Sequence, residues 1–147
     1  MLGSLTSFSL PPYNIVLINF ITFPILLYIL IKIKEKKFAL PAINVTGTNT
    51  INAVLETASN LNSPVIIQFS HGGAHFIAGK GVDNANHNAS ISGAISGAHH
   101  IHNVCDNYKA EVIIHTDHCS RKNLPWIDGL LEYGNNFYKQ NMHSPNF

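Results

Sequence analysis

Three short runs of mostly branched apolar residues, Phe38 to Asn44, Val65 to Phe69 and Glu111 to Thr116, are separated by segments with helical spacing. Ile51, Val54, Leu55, Ala58 and Leu61 recur at helical intervals, with Thr48 or Thr50 placed to cap and Pro64 to stop that helix. Ala89 to Tyr108 has the clearest apolar face, traced by Ile91, Ala94, Ile95, Ala98, Ile101, Val104 and Cys105. Gly93 and Gly97, four positions apart, let that helix approach a neighbour closely. Leu124 to about Tyr133 reads as a third helix, with Pro125 in its first turn and Gly134 as its stop. Ser70 to Asn88, rich in Gly, Asn and His, reads as a long loop. Apolar strands joined by helical crossovers imply a parallel sheet covered on both faces. Periodicity alone does not separate an open doubly wound sheet from part of a barrel.

Chemistry concentrates at the end of the third run. Val112, Ile113 and Ile114 read as a buried strand, which then delivers His115, Asp117 and His118. A buried strand rarely carries such groups unless they have partners or a task. A carboxylate beside an imidazole can move protons or hold a divalent metal. In barrel enzymes the C-terminal end of a strand is where such work is done.

The chain has 147 residues, enough for one domain but short of the roughly 250 of a complete eight-unit barrel. A net charge of +1 gives no electrostatic argument for nucleic acid or for an acidic membrane surface. Nine histidines make imidazole the main chemical resource. Cys105 and Cys119 lack metal-type spacing and read as reduced, packed thiols of a cytosolic protein.

The N-terminus does not fit this pattern. Ile15 to Ile31 is almost wholly apolar, is interrupted by Asn19, Thr22 and Pro24, and is followed by Lys32, Lys34, Lys36 and Lys37. One reading is a transmembrane helix with a positive cytoplasmic flank, although the run is short and Pro24 sits in its middle. A cleaved signal peptide is disfavoured, because the basic residues follow the apolar run. The preferred reading is that residues 1–37 are not native to the segment 38–147. Membrane association through residues 15–31 stays open as the alternative.

The segments Phe38-Ala-Leu-Pro-Ala-Ile-Asn44, Ile51-Asn-Ala-Val-Leu-Glu-Thr57, Pro64-Val-Ile-Ile-Gln-Phe-Ser70, Phe76-Ile-Ala-Gly-Lys-Gly81, Gly93-Ala-Ile-Ser-Gly-Ala-His-His100, His115-Thr-Asp-His-Cys119 and Leu124-Pro-Trp-Ile-Asp-Gly-Leu-Leu131 occur in this order. Together they resemble the N-terminal part of a class II, zinc-dependent fructose-bisphosphate aldolase, from about Phe38 to about Gly134. The resemblance implies an α/β fold, an incomplete TIM (β/α)8 barrel with roughly the first three β/α units. It implies reversible cleavage of fructose 1,6-bisphosphate to glycerone phosphate and glyceraldehyde 3-phosphate, in glycolysis and gluconeogenesis. It also implies a sugar-phosphate substrate, zinc as cofactor, a homodimer and a cytoplasmic location.

By the same resemblance Asp117 is the catalytic acid, exchanging a proton with the C4 hydroxyl of the substrate. Local sequence alone leaves that role and a loop or helix cap evenly balanced. His118 is a zinc ligand, acting with two further histidines from later strands of the barrel. Ser70 contacts the substrate, and Asn44 and Gln68 line the site; read without the family, all three are strand-end polar groups bonded to backbone. His115 supports the site, and the His99-His100 pair belongs to a structural helix. The chain is expected to be a truncated form. Two rival readings are an inactive gene-fragment product, with or without a membrane tether, and a His-rich metal-binding module using His99 and His102.

Overall fold

The computed structural model describes residues 39–141 and, ahead of them, Pro24, Leu27, Tyr28 and Ile31. The expectations for the apolar run 15–31 as a whole, and for a boundary at residues 37 and 38, lie outside the described residues. Among the described residues, no helix is long and apolar enough to cross a membrane.

Three strands, β1 (Ala42–Asn44), β2 (Val65–Phe69) and β3 (Val112–Thr116), form a parallel sheet in the order β1-β2-β3. Four helices connect and follow them: α1 (Thr48–Leu61), α2 (His71–Ala78), α3 (Asn88–Tyr108) and α4 (Leu124–Asn141). Single 3-10 turns, Ala85–His87 and Arg121–Asn123, lead into α3 and α4. This is the α/β organisation of an incomplete barrel, with three of a barrel's eight parallel strands present among the described residues.

The buried side of the sheet is built from Val45, Val65, Ile67 and Phe69. It packs into one core with Ile51, Leu55 and Ala58 of α1, Ala74 of α2, Ala94, Ala98 and Ile101 of α3, and Trp126 of α4. The opposite side carries Ala42, Ile66 and Ile113 in one register row and Asn44, Gln68 and His115 in the next. Ile113 is 49% exposed there, on the face that becomes the interior when a barrel closes.

The first strand is shorter than the expected Phe38 to Asn44. Pairing starts around Pro41, whose carbonyl accepts from the Ile66 N–H at 2.9 Å but which has no N–H of its own to give. The α1 cap falls on Gly47, with Thr50 closing the turn: its Oγ1 donates to the Gly47 carbonyl at 2.7 Å and accepts from the Gly47 N–H at 3.2 Å.

The expected loop from Ser70 to Asn88 is instead largely α2 and a 3-10 turn. The Ser70 hydroxyl accepts from the Gly73 N–H at 3.0 Å and starts the helix. Glycines at 72 and 73 cost helix propensity, yet Gly73 and Ala74 are buried, and a Cβ added to Gly93 of α3 would run into the Ala74 carbonyl. Close backbone packing of α2 on α3 outweighs the propensity that made this stretch read as loop.

Gly134 does not stop the last helix, which continues to Asn141. Tyr133 and Phe137, one turn apart, both pack on His99 of α3, with ring centroids 6.2 and 6.4 Å away, and His99 Nε2 lies 2.8 Å from the Tyr133 hydroxyl. These contacts hold the helix through a residue that alone favours its end.

Candidate active site

Asn44, Gln68 and His115 stand side by side at the C-terminal ends of β1, β2 and β3, because the register pairs Asn44 with Gln68 and Gln68 with His115. Side chains two positions apart on a strand share a face. The Asp117 N–H donates to the Phe69 carbonyl at 2.9 Å, continuing the β2–β3 ladder past Thr116 and bringing Asp117 out beside His115 on that face. Sequence spacing placed Asp117, Asn44 and Gln68 at strand ends; the fold places them on one side of one sheet.

Asp117 is held from two directions. Asn44 Nδ2 donates to its Oδ2 at 3.0 Å, and the His118 backbone N–H donates to its Oδ1 at 2.8 Å. The His118 backbone bond, and then the Asn44 bond, hold the Asp117 carboxyl below its ordinary value. The group is therefore an ionised acceptor at neutral pH, half-buried and aimed by an amide. Such a carboxylate can take a proton from a substrate hydroxyl and return it.

His118 follows the opposite parity. Its side chain is 94% exposed, and its Nε2 lies 4.0 Å from Asp117 Oδ2, beyond hydrogen-bond reach. The imidazole is thus available as one donor to a metal. Among the described residues no group of three or more His, Cys, Asp or Glu could hold a metal ion, and one imidazole is short of the three protein ligands of a catalytic zinc site.

Gln68 Oε1 accepts from His115 Nδ1 at 3.1 Å, so each orients the other. Ser70 sits one residue beyond β2 as the cap of α2. Its oxygen serves the Gly73 N–H, and its hydroxyl proton is still available to a ligand. The structure thus joins Asn44 to Asp117 and Gln68 to His115, while Ser70 makes its hydrogen bond within its own helix turn. Asn44 as the partner of Asp117 was not evident in the sequence. The usable signal was its place at the end of a strand in the same parallel set.

Two of the three histidines of α3 have hydrogen-bond partners on other helices. His99 bonds the Tyr133 hydroxyl, and His100 Nε2 lies 2.8 Å from Asn52 Oδ1 of α1. His102 turns its Nε2 inward, and burial, with His99 next, lowers its pKa.

A parallel β/α sheet with an aimed carboxylate and an exposed imidazole at the C-terminal ends of its strands places polar chemistry where β/α enzymes carry their active sites. Residues 26–143 match the family model of class II fructose-bisphosphate aldolase. The match begins inside the apolar run. Fructose-bisphosphate aldolase class 2 of Escherichia coli K12 is 62% identical over 102 residues, which are 69% of this chain and 28% of that protein. The class 2 enzyme of Buchnera aphidicola from Acyrthosiphon pisum is 57% identical over 109 residues, 74% of this chain and 30% of that protein. The crystal structure of fructose-bisphosphate aldolase from Campylobacter jejuni superposes with a TM-score of 0.72 at 50% identity, covering 82% of this chain and 34% of that one. The chain belongs to the class II fructose-bisphosphate aldolase family, and it spans under a third of the length of these curated relatives. That family is generally metal-dependent.

Proposed function

We propose that this segment supplies the proton-handling corner of a class II fructose-bisphosphate aldolase, which cleaves fructose 1,6-bisphosphate reversibly to glycerone phosphate and glyceraldehyde 3-phosphate. In this reading Asp117 exchanges the proton of the C4 hydroxyl as the C3–C4 bond breaks or forms. Asn44 holds the carboxylate in position, Ser70 donates its hydroxyl to the substrate, and Gln68, steadied by His115, lines the site. Zinc, with His118 as one ligand, would polarise the substrate carbonyl when bound. Cytoplasmic action as a homodimer follows from the same family reading, as does a place in glycolysis and gluconeogenesis. Residues 38–147 are the barrel-forming part in this reading.

The observation that carries the reading is the Asn44–Asp117 hydrogen bond across the strand ends. An acid held by an amide from a different strand is built to stay put, and a simple helix cap does not need it. The rival metal module has less support: His99 is bonded to Tyr133, and His102 Nε2 is buried.

The test is a chimera in which residues 39–141 replace the matching segment of a full-length relative. The chimera should cleave fructose 1,6-bisphosphate. Asp117→Ala should then lower turnover by about 10²–10⁴-fold, the usual contribution of a positioned acid or base, with zinc content unchanged. Wild-type turnover in the Asp117→Ala chimera would refute the assignment.

A further inference from the structure

Two imidazoles outside the candidate site face each other directly. His71, the first residue of α2, has its Nε2 2.9 Å from Nδ1 of His87, the residue that caps α3. Their rings meet edge to face, with centroids 5.0 Å apart, and His71 also sits edge to face on Trp126 of α4 at 5.5 Å. One contact therefore ties together the starts of two helices and the indole in the core.

The turn that brings His87 there is held in an uncommon backbone form. Asn86 and His87 are consecutive left-handed residues, with φ of 54° and 63°. Non-glycine side chains adopt this region sparingly, so tertiary contacts have to hold it. The Asn84 side chain contributes by bonding the Ser90 N–H and hydroxyl, both at 3.0 Å. The imidazole pair is the direct link from the turn itself to α2.

We propose that His71 and His87 form a proton-sharing latch, which fixes the turn before α3 to the start of α2 and opens when both rings are protonated. One nitrogen must accept, so the bond survives with both rings neutral or with one cationic, and not with two cations. The surroundings oppose a second charge. His71 is half-buried, and the groups facing it are His75 of its own helix, Lys80 from the turn after α2, Lys122 from the turn before α4, and His87. All are cationic or can become so, and α4 sets the uncharged Trp126 ring against His71. The nearest carboxylate along the chain to His87, Asp83, is engaged by the Ala85 N–H at 3.2 Å. Both rings also lie at helix N-termini, where the peptide dipoles disfavour cations.

Burial, then His87, His75 and the two lysines, lowers the His71 pKa below 6.5. The unfolded chain then binds the proton more readily than the folded one. Stability from this corner is present above pH 6.5, is lost as pH falls below that value, and stops changing once His71 is protonated in the fold.

Trp126 is the chain's single tryptophan, so its emission reports on His71, because a protonated imidazole quenches a neighbouring indole. The experiment titrates Trp126 fluorescence of the full 147-residue chain between about pH 5 and 8, with far-ultraviolet circular dichroism and backbone amide resonances recorded alongside. One quenching step with a midpoint below 6.5 is expected. It should be accompanied by shifts of the Ala85–His87 amides at the same midpoint and by unchanged helicity. His71→Gln should abolish the step, and His87→Gln should keep it with the midpoint moved up. Any of four results overturns the latch: no step, a midpoint at or above 6.5, a step that survives His71→Gln, or turn amides that ignore it. Loss of helicity at the same midpoint also overturns it, because the step would then report global unfolding.

Discussion

Asn44 and Asp117 are joined by a 3.0 Å hydrogen bond although the strands that carry them are not neighbours. The bond reaches across the end of β2, from one outer strand of the sheet to the other. It fixes the direction of the carboxylate and, after the His118 backbone bond, helps to hold its pKa below the ordinary value. Deleting the amide should therefore change how Asp117 titrates without touching the residue itself.

Asn44→Ala should raise the Asp117 pKa back toward 3.8. The His118 N–H would still hold it somewhat below that value. The sign for stability follows from linkage: a depressed carboxylate stabilises the fold above its unfolded value and loses that contribution as pH falls through its folded value. Asn44→Ala should shrink this acid-labile contribution. Carbon-detected titration of the Asp117 side chain checks the shift, and an unchanged midpoint would mean the amide bond does not hold the charge.

Much of this corner was legible in the chain, and the misses have physical causes. Val65 to Phe69 and the core of α3 follow from branched residues and a clean apolar face, and both elements appear where the pattern puts them. The Gly93 and Gly97 spacing marked the close approach that the structure shows, with Gly93 against Ala74 and Gly97 against Phe69. The α2 helix was hidden because His71, Gly72, Gly73 and His75 are poor local helix signals, and its support comes from α3. The end of α4 was hidden because Gly134 is a local stop signal, whereas Tyr133 and Phe137 reach His99 on another helix. Local pattern reports local preference, and tertiary contact decided both cases. At the site, types and strand-end positions were readable. Which amide meets which carboxylate depends on register across three strands and was not.

Gly93→Ala should be among the most damaging small substitutions in the chain. The new methyl group would meet the Ala74 carbonyl, with the Ala78 nitrogen 3.0 Å away, and backbone cannot rotate aside as a side chain can. Overpacking typically costs about 1–3 kcal/mol, and a backbone clash belongs at or above the upper end. Gly72→Ala is the matched control, since nothing lies within 4 Å of its added Cβ. That change should be neutral or stabilise by up to about 1 kcal/mol through helix propensity. Denaturant unfolding of the two variants checks the ordering, and equal stabilities would remove the α2–α3 contact as the reason α2 forms.

Phe137→Ala should shorten α4. Removing this ring takes away one of the two aromatic contacts that carry the helix past Gly134 and leaves the glycine's cost of about 1 kcal/mol less well offset. Faster amide exchange from Asn135 onward, with Leu124 to Tyr133 still protected, is the expected result. Uniform protection along α4 would show that the helix holds without that contact.

His118→Ala separates the metal role from the proton role when tested in the chimera with a full-length relative. Asp117 and His118 are adjacent, yet their side chains do different things: one is held by two hydrogen bonds, the other is 94% exposed with its Nε2 4.0 Å from the carboxylate. In the proposed reading this imidazole is a zinc ligand, so on its removal zinc affinity should fall first and activity should follow metal occupancy. Excess zinc should restore part of the activity, because the remaining ligands still bind weakly and Asp117 keeps its place through Asn44 and the backbone N–H at position 118, which alanine retains. The Asp117→Ala chimera should behave oppositely, keeping its zinc and gaining nothing from added metal. Zinc titration followed by rate measurement on both variants reads the difference. Full zinc retention in His118→Ala, or zinc loss in Asp117→Ala, would reverse the two assignments.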